Sequence, residues 1–264
     1  MRHWLLVLLL LSAALRAQEA PREWRVLFVG NSLTYVNNLP ATLRALAAAQ
    51  PTPVRITTVS HVAPGGTVAE RWDDGVAAKA LRDGRWDAVV LQERGGLLAC
   101  MADPEQRRER ECRASERAHA AFADAAKTGG AKVLLLATWG PDATWQDKLD
   151  RAIRRLASRT DAQVVPAGST LRAYAAKHGE RETFPDGVHP AFTATLVMAA
   201  QLHHAITGAE PRAADVRIDF PLLPANAKID PKLPLEAQPQ LAGDGRVLLL
   251  KADAVAPLLE AAAE

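Results

Sequence analysis

Arg25-Val26-Leu27-Phe28-Val29-Gly30-Asn31-Ser32-Leu33-Thr34 is the stretch from which the fold is read. Val26 to Val29 are apolar without alternation, so a strand here has both faces buried. Gly30 interrupts the run, and Ser32 stands just ahead of a helical pattern. The chain repeats this arrangement. Short apolar or β-branched runs follow at Val54–Ser60, Asp87–Gln92, Lys132–Ala137 and Ala162–Val165. Between them lie helical stretches at Leu39–Gln50, Thr67–Leu81, a helix ending near Gly129 and Gly130, the amphipathic Thr144–Arg159, Ser169–Lys177, and a last one reaching about Ile206. Five such strands separated by helices predict an α/β chain. The expected architecture is a three-layer α/β/α sandwich around a central parallel five-stranded sheet. In such sheets functional residues gather beyond the carboxyl ends of the strands, which directs attention to the residue just after each run.

The chain has 264 residues. Arg2 and His3 precede an apolar run from Trp4 to Leu10, and small residues follow at Ala13, Ala14 and Ala17. This pattern predicts a secretory signal over 1–17, cleaved after Ala17, and an exported protein, periplasmic or secreted. The apolar run falls short of the roughly 20 residues a membrane span needs, so no span is expected in the mature chain. The body, 24–208, has the length of one domain. A Pro-rich extension, 209–264, follows, with a strand expected at Arg246–Leu250 and a helix at Ala254–Ala263; it either packs on the main domain or forms a small appendage. The net charge of +2 gives no whole-chain argument for binding nucleic acid. Arg107, Arg108 and Arg110 are interleaved with Glu105, Glu109 and Glu111 and read as a solvated face. The two cysteines, Cys100 and Cys112, are expected to pair in an exported chain. Their spacing does not suit a metal site.

Two segments carry chemistry. Ser32 follows the first strand and precedes a helix, so its hydroxyl stands at the sheet's carboxyl edge. Amides of the following helix start are placed to receive a developing oxyanion. The second Gly of a GxSxG elbow is absent, because Thr34 occupies that place. Far along the chain, Pro185-Asp186-Gly187-Val188-His189-Pro190 sets a carboxylate and an imidazole three residues apart on a turn. A serine hydroxyl becomes a competent nucleophile when a base takes its proton. His189 is the candidate base, and Asp186 the group that fixes its tautomer.

Together, GNSLT after the first strand and DGVHP before the last core helix resemble the SGNH (GDSL-like) hydrolases, over about Arg25 to Thr207. The resemblance implies that family's flavodoxin-like sandwich and a Ser32, His189, Asp186 triad. Asn31 stands where many members carry Asp, and is a candidate for contact with substrate. The family's glycine block is matched by Ala63-Pro64-Gly65-Gly66-Thr67. Gly65 fits best as the second oxyanion donor beside the Ser32 amide. The family's GxND after the third strand is missing; the chain reads Leu91-Gln92-Glu93-Arg94 there, which makes the Gln92 amide the candidate replacement and Arg94 its competitor. Trp139, after the fourth strand, is a candidate platform for substrate. His61 is a weaker candidate for the cleft, and the adjacent His203 and His204 face different directions. Neither metal nor cofactor is needed. The implied activity is hydrolysis of carboxylic esters, with small-molecule or glycan esters as substrates and carbohydrate deacetylation the first choice. Two other readings use the same residues: a glycan O-acyltransferase with this triad, and a secreted glycan-binding protein on an inactive hydrolase fold.

Overall fold

The computed structural model describes residues 22–243 and 245–264, so the expected signal segment, 1–17, lies outside the described residues. The central sheet consists of β1 (Glu23–Gly30), β2 (Arg55–Val62), β3 (Ala88–Leu91), β4 (Lys132–Leu136) and β5 (Gln163–Val165). Its strands are parallel and run in the order β2-β1-β3-β4-β5. The chain leaves β1 to one side to make β2, then crosses to the other side for β3. That reversal puts the crevice of a doubly wound sheet beyond the carboxyl ends of β1 and β3.

The apolar run of β1 feeds two cores. Val26 and Phe28 point to one face, where they meet α2 (Leu39–Ala48), α8 (Ala167–His178) and α10 (Phe192–Thr207). Leu27 and Val29 point to the other, against α3 (Val68–Asp73), α4 (Val76–Asp83), α5 (Gly95–Ala102), α6 (Arg110–Thr128) and α7 (Ala143–Thr160). All four side chains are buried to within 1%, each contributing about 1.5–3 kcal/mol by leaving water. A polar residue at any of them has no solvated face to turn to. Helices cover both faces, so the fold is the expected three-layer sandwich. Among the described residues no helix is long and apolar enough to cross a membrane.

Two elements differ from expectation. The helix expected over Thr67–Leu81 is broken in two at Gly75, whose φ of 75° is left-handed. Glycine takes that conformation without a Cβ clash, so Asp74-Gly75 turns the chain despite the apolar periodicity around it. The segment after β3, for which no helix was expected before the one ending near Gly129, forms α5 at Gly95–Ala102. Its leading Gly-Gly hides the apolar set Leu97, Leu98 and Met101, which is buried in the second core.

Cys100 of α5 and Cys112 of α6 form a disulfide, with Cα atoms 6.1 Å apart. Closing a loop of this size restricts the unfolded chain by about 3 kcal/mol. The double variant Cys100→Ser/Cys112→Ser is expected to lose about that much unfolding free energy in urea. Reductant is expected to shift the wild-type midpoint and leave the variant's unchanged.

Beyond α10 the chain returns over the body. β6 (Val216–Ile218) pairs antiparallel with β7 (Leu248–Leu250), and α11 (Ala252–Ala263) packs on α10. The intervening segment covers the outer edge of β2. There the Glu236 carboxylate accepts hydrogen bonds from Ser60 N at 2.8 Å, Ser60 Oγ at 2.8 Å and Thr58 Oγ1 at 2.7 Å. An edge strand offers unpaired backbone donors to other chains, and this carboxylate occupies one of them.

Candidate active site

Ser32 is the first residue of α1 (Ser32–Tyr35), two residues beyond the end of β1. Asn31 between them is extended, and its Oδ1 accepts from Leu33 N at 3.1 Å, capping the short helix. Its Nδ2 donates to Gly66 O at 3.0 Å, and its backbone N–H to Gln92 Oε1 at 3.2 Å. Thr34 Oγ1 donates to the same Gln92 oxygen at 3.0 Å. Only glycine fits at position 30: a Cβ there would lie 2.6 Å from Thr34 Oγ1 and 2.9 Å from Gln92 Oε1. The serine is therefore held from both neighbouring strands. Its own N–H belongs to the first turn of a helix, where no intrahelical acceptor exists.

His189 and Asp186 lie on the loop between α9 (Glu180–Thr183) and α10. Asp186 Oδ1 accepts from Val188 N at 3.0 Å and His189 N at 2.7 Å, folding the loop around the carboxylate, while Gly187 takes a φ of 79°. Asp186 Oδ2 lies 2.7 Å from His189 Nδ1. On the other side of the ring, His189 Nε2 lies 2.9 Å from Ser32 Oγ. An ionised carboxylate only accepts, so it fixes the proton on Nδ1 and leaves the Nε2 lone pair facing the serine hydroxyl. The structure thus brings together Ser32, His189 and Asp186 across 157 residues of chain.

Burial alone would raise the Asp186 carboxyl, but hydrogen bonds from His189 N, the His189 ring and Val188 N outweigh it and lower the pKa from 3.8 to about 2. The folded value lies below the unfolded one, so the resulting stability is present above about pH 4 and is lost as pH falls toward 2. Wild type and Asp186→Asn are therefore expected to show unfolding free energies that diverge above pH 4 and converge by pH 2, read from denaturant titrations at each pH.

The loop is fastened from two directions. Trp139 Nε1 donates to Val188 O at 2.7 Å, and its ring stacks on Phe184 with centroids 5.5 Å apart. Asn37 Nδ2 donates to Pro190 O at 2.8 Å and to Thr195 Oγ1 at 3.2 Å. Three sequence expectations change accordingly. Trp139 is 8% exposed and holds the His189 loop instead of presenting a platform. Asn31 is buried, with its side chain engaged in the cap and in Gly66, and does not face a substrate. Gln92 is buried too: its Nε2 donates to Glu93 O at 2.8 Å and its Oε1 receives the two bonds above, so it braces the serine turn and is not turned toward an oxyanion.

Gly65 lies in the turn closed by Gly66 N to Ala63 O, with a φ of 62° and no atom near its would-be Cβ. The Asn31–Gly66 bond ties this turn to the residue beside Ser32. Arg94 is the residue just before α5 and donates its N–H to Glu93 Oε1. His61 is buried without a hydrogen-bond partner for either ring nitrogen among the described residues, and burial lowers its pKa against the opposing charges of Glu236 and Asp74. His203 bonds Ala209 O and His204 bonds Glu210, so the two histidines do diverge.

Three residues were not singled out from the sequence. Glu93, buried two residues beyond β3, accepts from Val68 N, Arg94 N and Ser115 Oγ, pinning three helix segments together. Its only signal was a charge placed directly after an apolar strand. Asn37 and Asn38 both have φ of 54°, a conformation that asparagine tolerates better than most residues. Their side chains had no pattern to announce them.

No protein-family profile matches the chain, and no curated protein does. Solved structures do. A candidate SGNH hydrolase from Slackia heliotrinireducens superposes with a TM-score of 0.55 at 23% identity, over 69% of this chain and 98% of its own. An α/β hydrolase, LAE5, from the metagenome of Lake Arreo, Spain, gives 0.54 at 20% identity, over 70% and 95%. The acetylxylan esterase Axe2 of Geobacillus stearothermophilus gives 0.54 at 16% identity, over 69% and 94%. Catalytic mutants of Axe2 replace a serine, an aspartate and a histidine, the aspartate three positions before the histidine. The chain has the SGNH-hydrolase fold, as its resemblance implied.

Proposed function

We propose that the protein is a serine ester hydrolase that forms an acyl-enzyme on Ser32. Ser32 Oγ attacks the ester carbonyl while His189 Nε2 takes the hydroxyl proton. The oxyanion is received by the N–H groups of Ser32 and Gly65. His189 then gives its proton to the departing alcohol, and a water activated by the same nitrogen releases the acid. Asp186 keeps the ring oriented and stabilises it while charged. The observation that carries this reading is the continuous Asp186–His189–Ser32 chain of 2.7 and 2.9 Å contacts at the sheet's switch point. The parallel with the Axe2 mutants, which share the aspartate-to-histidine spacing, supports it.

We place acetylated carbohydrates first among substrates, since acetylxylan esterases share the fold. Export is part of the same proposal. It rests on the signal-like composition of 1–17 and on the paired cysteines, which persist in oxidising compartments. N-terminal sequencing of the mature protein is expected to begin at Gln18. The activity is tested by following acetate release from p-nitrophenyl acetate and from an acetylated xylooligosaccharide, with an unacetylated glycan present. One free acetate per ester cleaved is the expected result. Acetyl appearing on the added glycan in place of free acetate would reassign the protein as a transferase. No turnover of any ester would remove the enzymatic reading.

A further inference from the structure

The C-terminal extension reaches the segment that continues from Ser32 and borders the His189 loop. Tyr35 Oη donates to Ala225 O at 2.8 Å, and Asn37 N donates to Leu223 O at 2.9 Å. Both donors belong to the turn that continues directly from Ser32. Leu223 is buried with Tyr35 and Val36 in a small core of its own. This places Leu222 and Pro224 over the loop that carries His189. Between them lies a hollow of about 420 Å³ whose lining includes His189, Asp186, Val36, Phe192, Leu222 and Pro224. Val36 is one helical turn beyond Ser32, on the same side of the chain. Leu222 is 38% exposed, although apolar. Asn37 also borders the hollow, but both its amide hydrogens are engaged by Pro190 and Thr195. The walls are therefore mainly apolar.

The position of this hollow relative to His189 decides what it holds. In acyl transfer the leaving oxygen must come within hydrogen-bond reach of the imidazole that protonates it, so the alcohol lies on the histidine's side of the reacting carbon. We infer that the C-terminal extension builds the alcohol-binding side of the site, and that this side takes an alcohol presenting a ring-sized apolar face. The inference rests on the hydrolase reading above. An aryl ring and the C–H face of a pyranose both have this chemistry. Leu222 is then a specificity-determining residue, although it lies nearly 200 residues from the serine in sequence.

The test compares wild type with Leu222→Ala on four esters: ethyl acetate, benzyl acetate, a methyl glucoside acetylated at its primary hydroxyl, and ethyl hexanoate. Each substrate's own reactivity cancels in the ratio of wild-type to variant kcat/KM. That ratio is expected to be about tenfold larger for one or both ring-bearing acetates than for ethyl acetate, since a contact of a few methylenes discriminates by this order. Which of the two responds identifies the aryl or sugar source. Ethyl hexanoate is expected to follow ethyl acetate. Equal ratios across the acetates overturn the inference while leaving the hydrolase reading intact. A ratio that grows with the acid's chain length also overturns it, by showing that the hollow receives the acyl group. Absence of turnover by wild type removes the reading beneath it. Melting temperatures of the two proteins are expected to agree, because Leu222 is a surface side chain.

Discussion

Ser32→Ala is expected to reduce kcat/KM for p-nitrophenyl acetate by on the order of 10⁴–10⁶, with the fold unchanged, because the nucleophile is lost while the oxyanion donors and binding surfaces remain. The hydroxyl is partly exposed and its one side-chain partner among the described residues is His189 Nε2, so its removal leaves none of their buried polar groups unsatisfied. Ser32 and His189 act as one unit, and their effects should not add. His189→Ala is expected to produce a similar loss, and the double variant little beyond either single one. Rates for the four proteins, with circular dichroism to show equal folding, check this. A double variant much worse than both singles would mean that the two residues serve separate steps.

Asp186→Asn is expected to lower kcat by about 10³–10⁴ through the wrong histidine tautomer. The loop geometry makes this substitution informative. Asp186 uses one oxygen for the N–H groups of Val188 and His189 and the other for His189 Nδ1. An asparagine has one oxygen only. If that oxygen keeps the two backbone donors, its NH₂ faces Nδ1 and moves the ring proton to Nε2, toward the serine. If it turns to keep Nδ1–H, the backbone donors lose their acceptor and the loop loosens. Nitrogen-15 spectra of the ring are expected to show the proton on Nδ1 in wild type and on Nε2 in the variant. A variant with the same tautomer and the same rate would show that Asp186 has no part in orienting the base.

The parts of this molecule that were legible in its sequence are those governed by local rules. The unalternating run Val26–Val29 announced a strand buried on both faces, and the structure puts its residues alternately into two cores. The alternation of such strands with helices sufficed for a parallel sheet. Ser32 and the Asp186/His189 turn were visible because their residue types sit at places where backbone geometry exposes them. What remained hidden depended on direction. Asn31, Gln92 and Trp139 follow the ends of β1, β3 and β4, but a sequence does not state which way a side chain turns. Each is buried and holds the machinery in place. Gly75 split a helix that periodicity alone would have joined, since a left-handed residue outweighs the apolar pattern around it. The path of the extension over α1 depended on distant contacts such as Tyr35 with Ala225, which no local pattern encodes.

The central claim is that the Ser32 hydroxyl is made nucleophilic by its neighbour at 2.9 Å. The most direct measurement is labelling with a serine-reactive fluorophosphonate, followed by peptide mass mapping. A single adduct on the peptide carrying Ser32, absent from His189→Ala under the same conditions, is the predicted result. An adduct on another serine, or labelling of Ser32 that proceeds equally without His189, would contradict the account.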